Sequence, residues 1–125
     1  APWPSSNLYK YMAHIINAQG KTLGRIASEA AHHLLGKHTA SFVRNRVVGE
    51  EVKIENASKV RLSGTKESTK KYVRYSGYPS GIKIESYAML TSRRGHKEAV
   101  KRAVYRMLPK NRLRGARMKL LTITD

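Results

Sequence analysis

Seven apolar residues between positions 23 and 35 restrict the fold most. Leu23, Ile26, Ala27, Ala30, Ala31, Leu34 and Leu35 recur at intervals of three and four, which lines them along one side of a helix. Thr22 stands where it can cap the amino end, and Gly36 where a left-handed residue would stop the helix. The far side carries Arg25, Ser28, Glu29, His32 and His33. A helix with one apolar side has to lie on a partner layer, and the flanking segments offer strands to supply it.

Residues 14–18 form a short apolar strand that Gln19 and Gly20 end. Residues 37–49 read as a basic connection with Phe42, Val43, Val47 and Val48 as tethers. Segments 52–55 and 60–63 alternate as strands do, and the four residues between them are too few for a crossover helix, so one helical turn or a tight turn must join them. Residues 65–71 are polar and basic, 72–75 are strand-like, and 76–81 have turn chemistry. A helix is expected to begin in 84–90, to be interrupted at Arg93, Arg94 and Gly95, and to be followed by a stronger one over about 96–108. That helix buries Ala99, Val100, Ala103, Val104, Met107 and Leu108. Pro109 ends it, a basic loop follows, and 119–123 read as a last strand. The expectation is one α/β domain over 1–125, a three-layer α/β/α arrangement around a small, mostly parallel sheet, with residues 1–8 as an extended arm. A chain of 125 residues is long enough for one real core.

Charge narrows the partners. Lys and Arg number 25 against 8 Asp and Glu, a formal charge of +17. A solvated lysine face suits a smaller excess; this one points to a polyanion, and nucleic acid is the leading candidate. From Arg93 to Lys119 the cations are opposed by Glu98 alone, and Arg predominates over Lys beyond position 111, as expected where forked donors meet phosphate oxygens. Lys70 to Tyr78 interleave cations with tyrosines, a mixture suited to phosphates and unpaired bases. The plainer reading of that segment is a half-buried strand with inward tyrosines, and the exposure of Tyr75 and Tyr78 decides between them.

Other chemistries find little support. There is no Cys, which removes disulfides, thiolate nucleophiles and cysteine zinc sites. The five histidines show no metal-ligand spacing, and His32 and His33, adjacent on a helix, diverge. The acids are scattered; the one adjacent pair, Glu50 and Glu51, reads as counterions to Arg44 and Arg46. No Ser has the glycine context of a nucleophile elbow. Gly20-Lys21-Thr22 lacks the earlier Gly of a P-loop, since Ile15 stands there; a tight strand-to-helix turn explains it, and Lys21 and Arg25 can still hold one RNA phosphate at the helix amino end. Apolar runs are short, so no membrane span is expected. No cofactor and no small-molecule substrate are expected either.

Several ordered blocks carry a resemblance: residues 17–25 (NAQGKTLGR), Gly36-Lys37-His38, residues 56–60 with Gly64, residues 76–83 (SGYPSGIK), and Met107-Leu108-Pro109-Lys110-Asn111. Over about 16–123 the chain resembles the bacterial-type L-thirteen family of large-subunit ribosomal proteins. The resemblance implies an α/β/α domain that binds large-subunit rRNA, meets neighbouring large-subunit ribosomal proteins and contributes to subunit assembly, in a cytoplasmic or an organellar ribosome. Two departures stand out. Gly49-Glu50-Glu51 occupies the place of a usual Gly-Asp pair, and Tyr105-Arg106 precedes Met107 where a small Gly is common.

The candidate RNA contacts are Lys110, Arg112, Arg114 and Arg117 first, then Lys37, His38, Arg44, Arg46, Lys70, Lys71, Arg74, Arg93 and Arg94, with Lys21 and Arg25 at the helix start and Tyr75 and Tyr78 as stacking surfaces. An RNA-modifying enzyme and a histone-like compactor of nucleic acid are the rival readings. A concave site with convergent polar groups would favour the first, and a preference for duplex DNA the second.

Overall fold

The computed structural model describes residues 14–125 apart from 41 and 48; the expected arm over 1–8 and the tether at Val48 lie outside the described residues. Strand β1 (His14–Asn17) leads into helix α1 (Leu23–Leu35), and strand β2 (Val52–Glu55) follows the basic connection. A 3-10 turn (Ala57–Lys59) and a short helix α2 (Lys66–Thr69) precede strands β3 (Lys71–Tyr75) and β4 (Ile82–Ser86). Helices α3 (Tyr87–Arg94), α4 (His96–Met107) and α5 (Leu113–Met118) lead to the last strand, β5 (Leu121–Ile123).

All seven apolar residues of α1 are buried, and Gly36 stops the helix at φ 79°, its N–H donating to the carbonyls of His32 and His33. Thr22 has the extended backbone of a capping residue but makes no side-chain cap bond; it forms a parallel bridge with Arg61 instead. Strands β1, β2 and β5 make a parallel sheet in that order. The register sets His14 beside Val52 and Val52 beside Leu121, then Ile16 beside Ile54 and Ile54 beside Ile123. Because strand side chains alternate, these residues share one face, and α1 and α4, packed on each other, cover it. The other face carries Lys53, Thr122 and Ile15, the last 58% exposed. The protein is thus mixed α/β, with a small parallel sheet and an antiparallel hairpin, β3–β4, beside it.

Four expectations change. Residues 60–63 are not a strand: Val60 and Leu62 do pack on the core, but the chain meets the sheet edge only at Arg61, whose N–H donates to the Lys21 carbonyl at 2.9 Å. Residues 84–86 are strand and not helix, because the turn at Gly77–Gly81 lays 82–86 against 71–75; the helix starts after Ser86, whose Oγ accepts from the Met89 N–H. The basic stretch after Pro109 is not all loop. The Asn111 side-chain oxygen accepts from the Leu113 N–H and starts α5, which holds Gly115 in its interior. Met107, expected in the buried stripe of α4, is exposed, with its sulfur accepting from Ser28 Oγ at 3.4 Å. Of the tethers, Phe42 packs on the core while Val43 and Val47 stay exposed.

Candidate nucleic-acid interface

Helix α5 and the 37–47 connection meet through Arg117. Its side chain is 1% exposed, and Nη2 donates to the carbonyl oxygens of Arg44 at 3.5 Å and Arg46 at 3.4 Å, while Nε has no partner. Burial of a guanidinium is costly unless its donors are satisfied, so Arg117 spends its charge on shaping the loop. The side chains of Arg44 and Arg46 are left exposed. Beside them lies a cleft of about 300 Å³ between Leu35, Lys37, Phe42, Arg44, Pro109 and Arg117. Lys110 and Arg112, next in sequence to its lining residues Pro109 and Asn111, are exposed. Arg114 lies over the Tyr105 ring, its guanidinium carbon 3.7 Å from the ring centre, and donates to the Tyr105 hydroxyl at 2.8 Å. That contact fixes its direction without neutralising it.

A second, larger cleft opens at the start of α1. Thr22, Gly24, Arg25, Arg61, Lys66, Lys70 and Arg106 line its polar side, in a volume of about 570 Å³. No acid is among its lining residues, and the unpaired N–H groups of the first turn of α1 add their partial positive charge. Lys21 turns away to pair with Glu29 at 3.7 Å.

The β3–β4 hairpin has two unlike faces. Val73 pairs with Ile84 and Tyr75 with Ile82, and all four are exposed. On the other face Tyr72 is buried beneath Lys70, Arg102 and Arg106, whose charged groups lie 5.3 to 5.7 Å from its ring centre. Burial pushes the Tyr72 phenol pKa up, against the pull of Arg106 and Arg102. Tyr75 and Tyr78 are 65% and 74% exposed, so their rings are open to stacking. Arg93 fastens the hairpin to α3 by a two-pronged pair with Glu85, Nε to Oε1 at 2.7 Å and Nη2 to Oε2 at 2.8 Å. The hydrogen bond from Arg93 holds the Glu85 carboxyl below its ordinary pKa, and the same bond raises that of Arg93.

The ion pairs among the described residues engage Lys21, Lys53, Arg93, Lys97 and Arg102. None engages Lys37, Arg44, Arg46, Lys70, Lys71, Arg74, Arg94, Lys110, Arg112 or Arg114. Glu50 does not answer Arg44 or Arg46, as the sequence suggested; its Oε1 lies 2.7 Å from His38 Nε2.

A family model described as ribosomal protein L13 matches residues 11–124. The chain belongs to the ribosomal protein L13 family. Large ribosomal subunit protein uL13 of Pelotomaculum thermopropionicum is 47% identical over 105 residues, 84% of this chain and 72% of the relative. The uL13 of Moorella thermoacetica is 44% identical over 110 residues, 88% and 76% of the two chains. That of Treponema pallidum strain Nichols is 48% identical over 100 residues, 80% and 70%. Membership of the L13 family makes this a structural protein and not an enzyme.

Within this L13 fold Lys71, Arg74, Tyr75 and Tyr78 belong to the hairpin and Arg94 to the end of α3, and the other expected contact residues sort into three groups. Lys37, Arg44, Arg46, Lys110, Arg112 and Arg114 gather around α5 and the loop it holds, whereas Arg25 and Lys70 meet at the second cleft. Arg117 is committed inside the protein, and Arg93, Lys21 and His38 are committed to acids. Arg61, Lys66 and Arg106, which sequence reasoning missed, join the second cleft; they come from three separate segments, and nothing in their spacing announces it. The fold brings histidines together that the sequence leaves in three segments: His14 on β1, His33 on α1 and His38 in the connection converge beside Glu29 and Glu50.

Proposed function

We propose that the protein is a structural constituent of the large ribosomal subunit, a single rRNA-binding domain of the cytoplasmic ribosome that stabilises the fold of large-subunit rRNA as the subunit assembles. The observation that carries this reading is the second cleft, where five cations, Arg25, Arg61, Lys66, Lys70 and Arg106, face one concave space with no acid among its lining residues. Bringing five like charges together costs Coulomb energy, which phosphate oxygens offset while releasing condensed counterions. The loop, α5 and the stretch before it add a second group of cations, Arg44, Arg46, Lys110, Arg112 and Arg114, with which one domain engages further phosphates. Lys71 and Arg74 extend the basic surface along the hairpin. Tyr75 and Tyr78 offer ring faces to unpaired bases. Val73, Ile82 and Ile84 offer an apolar patch to a neighbouring large-subunit protein. The α/β/α arrangement of this reading requires a further layer over the face bearing Ile15, Lys53 and Thr122, on which Ile15 is exposed.

Salt dependence of rRNA-fragment binding tests it. Replacing Arg61, Lys66 and Arg106 together by Gln lowers affinity and reduces the slope of log K against log salt by about 0.7 to 0.9 for each phosphate left without its cation. An unchanged slope, with circular dichroism confirming the fold, removes this cleft from the interface. Equal affinity for duplex DNA returns the compactor reading.

A further inference from the structure

Four histidines lie together at the carboxyl end of α1, and they come from separate segments. His32 and His33 stand on the last turn of the helix. Gly36 then turns the chain back, and His38 comes to rest with its ring centre 4.6 Å from that of His33. His14, on β1, stacks on the other side of His33 at 3.6 Å. Two carboxylates complete the group: Glu29, one turn before His33 and 3.3 Å from His14 Nε2, and Glu50, 2.7 Å from His38 Nε2.

The position of Glu50 is fixed by backbone. Its N–H donates to the His33 carbonyl at 3.3 Å, and Gly49 lies so close to the Leu34 carbonyl that any Cβ there would overlap it. The two anchors of the 38–50 segment therefore sit side by side at the helix end. Inside the group His33 Nδ1 is buried and has no hydrogen-bond partner. That nitrogen is free to take a ligand.

We propose that His33, His38 and Glu50 form a binding site for one borderline divalent cation of the zinc class. One donor atom from each lies within 4.8 Å of the others. Ligands of tetrahedral zinc stand about 3.3 Å apart, given bonds of about 2.0 to 2.1 Å, so small side-chain rotations close the site. Imidazole and carboxylate without thiolate suit Zn²⁺, Co²⁺ or Ni²⁺ better than Cu⁺ or Mg²⁺. The overlapping set His14, Glu29 and His33 meets the same distance but is the poorer cage. Its two imidazoles are stacked within 20° of parallel, so their in-plane lone pairs run side by side. The His33 and His38 planes are inclined at 50° and can converge. Metal bound by His38 and Glu50 would staple the two ends of the segment that carries Arg44 and Arg46, and the site thereby links ion binding to the placement of the basic loop.

The test is titration of the untagged, chelator-treated full chain with Zn²⁺ by calorimetry, and with Co²⁺ by its visible absorption. One ion is expected per chain. Affinity should fall at least tenfold in His38→Ala and in Glu50→Gln, and stay unchanged in His96→Ala, whose ring lies by Tyr87 outside the group. Circular dichroism of each variant separates a missing ligand from a failure to fold. Absence of stoichiometric binding overturns the proposal, and so does binding that survives both substitutions. A loss confined to His14→Ala and Glu29→Gln overturns this choice of ligands.

Discussion

Arg117 donates to the main-chain carbonyl of Arg44, 73 positions away, so a cation buried on α5 holds the backbone from which an exposed cation projects. Truncation to Ala would leave a cavity and two carbonyls with one donor fewer. We expect Arg117→Ala to lose about 2 kcal/mol in urea unfolding, in the range for hydrogen bonds to a charged group. Arg117→Met should lose less, because an apolar side chain of similar length removes the desolvation penalty and the orphan Nε together. Both should weaken RNA binding through the loosened loop, with a smaller change in salt slope than Arg44→Gln produces. Wild-type stability in Arg117→Ala would remove the clamp.

How much of this was legible in the sequence depends on whether the determinant was local. The α1 stripe and its stop at Gly36 were readable because periodicity and a left-handed glycine act within one segment. Strand β2 was readable for the same reason. Residues 84–86 were not, since an apolar run of that length suits either state and the cross-strand partners at Val73 and Tyr72 decide it. Arg117 illustrates the limit for the site: Lys110, Arg112, Arg114 and Arg117 look equivalent until packing shows which one turns inward. The His33 group was hidden for a related reason, because its proposed ligands come from a helix end and from both ends of the loop that returns to it.

Gly49 and Gly115 make opposite predictions under the same change. A Cβ at Gly49 would collide with the Leu34 carbonyl, backbone that cannot step aside cheaply, whereas one at Gly115 meets nothing within 4 Å. Gly49→Ala should destabilise the protein by about 2 kcal/mol, as overpacking does. Gly115→Ala, inside α5, should stabilise it by about 0.5 to 1 kcal/mol by narrowing the unfolded ensemble and favouring helix. Urea titrations of the two variants should move their midpoints in opposite directions.

The Glu85–Arg93 pair predicts a pH window. Its carboxyl pKa is lowered in the folded protein from the ordinary 4.5, so the unfolded chain takes up the proton first as pH falls. The pair's contribution is fully present above the unfolded value and is lost as pH falls through the folded one. Glu85→Gln should therefore be less stable than wild type at neutral pH, and the difference should vanish in acid below the folded pKa. Added salt should shrink it at neutral pH as well, because both groups reach solvent. Measuring the midpoint difference against pH at two ionic strengths checks both statements.

Tyr72 and Tyr75 are separated by two residues and by opposite environments. The Tyr72 hydroxyl is buried without a partner, so its oxygen bears a desolvation cost that no bond offsets, while its ring receives Arg102 and Arg106. Tyr72→Phe keeps the ring and removes the orphan oxygen. It should stabilise the fold by about 1 kcal/mol, the low end of the cost of an unsatisfied buried group, and leave RNA affinity unchanged. Tyr75→Ala removes an exposed ring, so its effect on stability should be slight. If a base stacks there, RNA affinity falls by about 1 to 3 kcal/mol with little change in salt slope, since stacking releases no counterions. A Tyr75→Ala protein that binds as wild type leaves the hairpin's outer face to a protein neighbour.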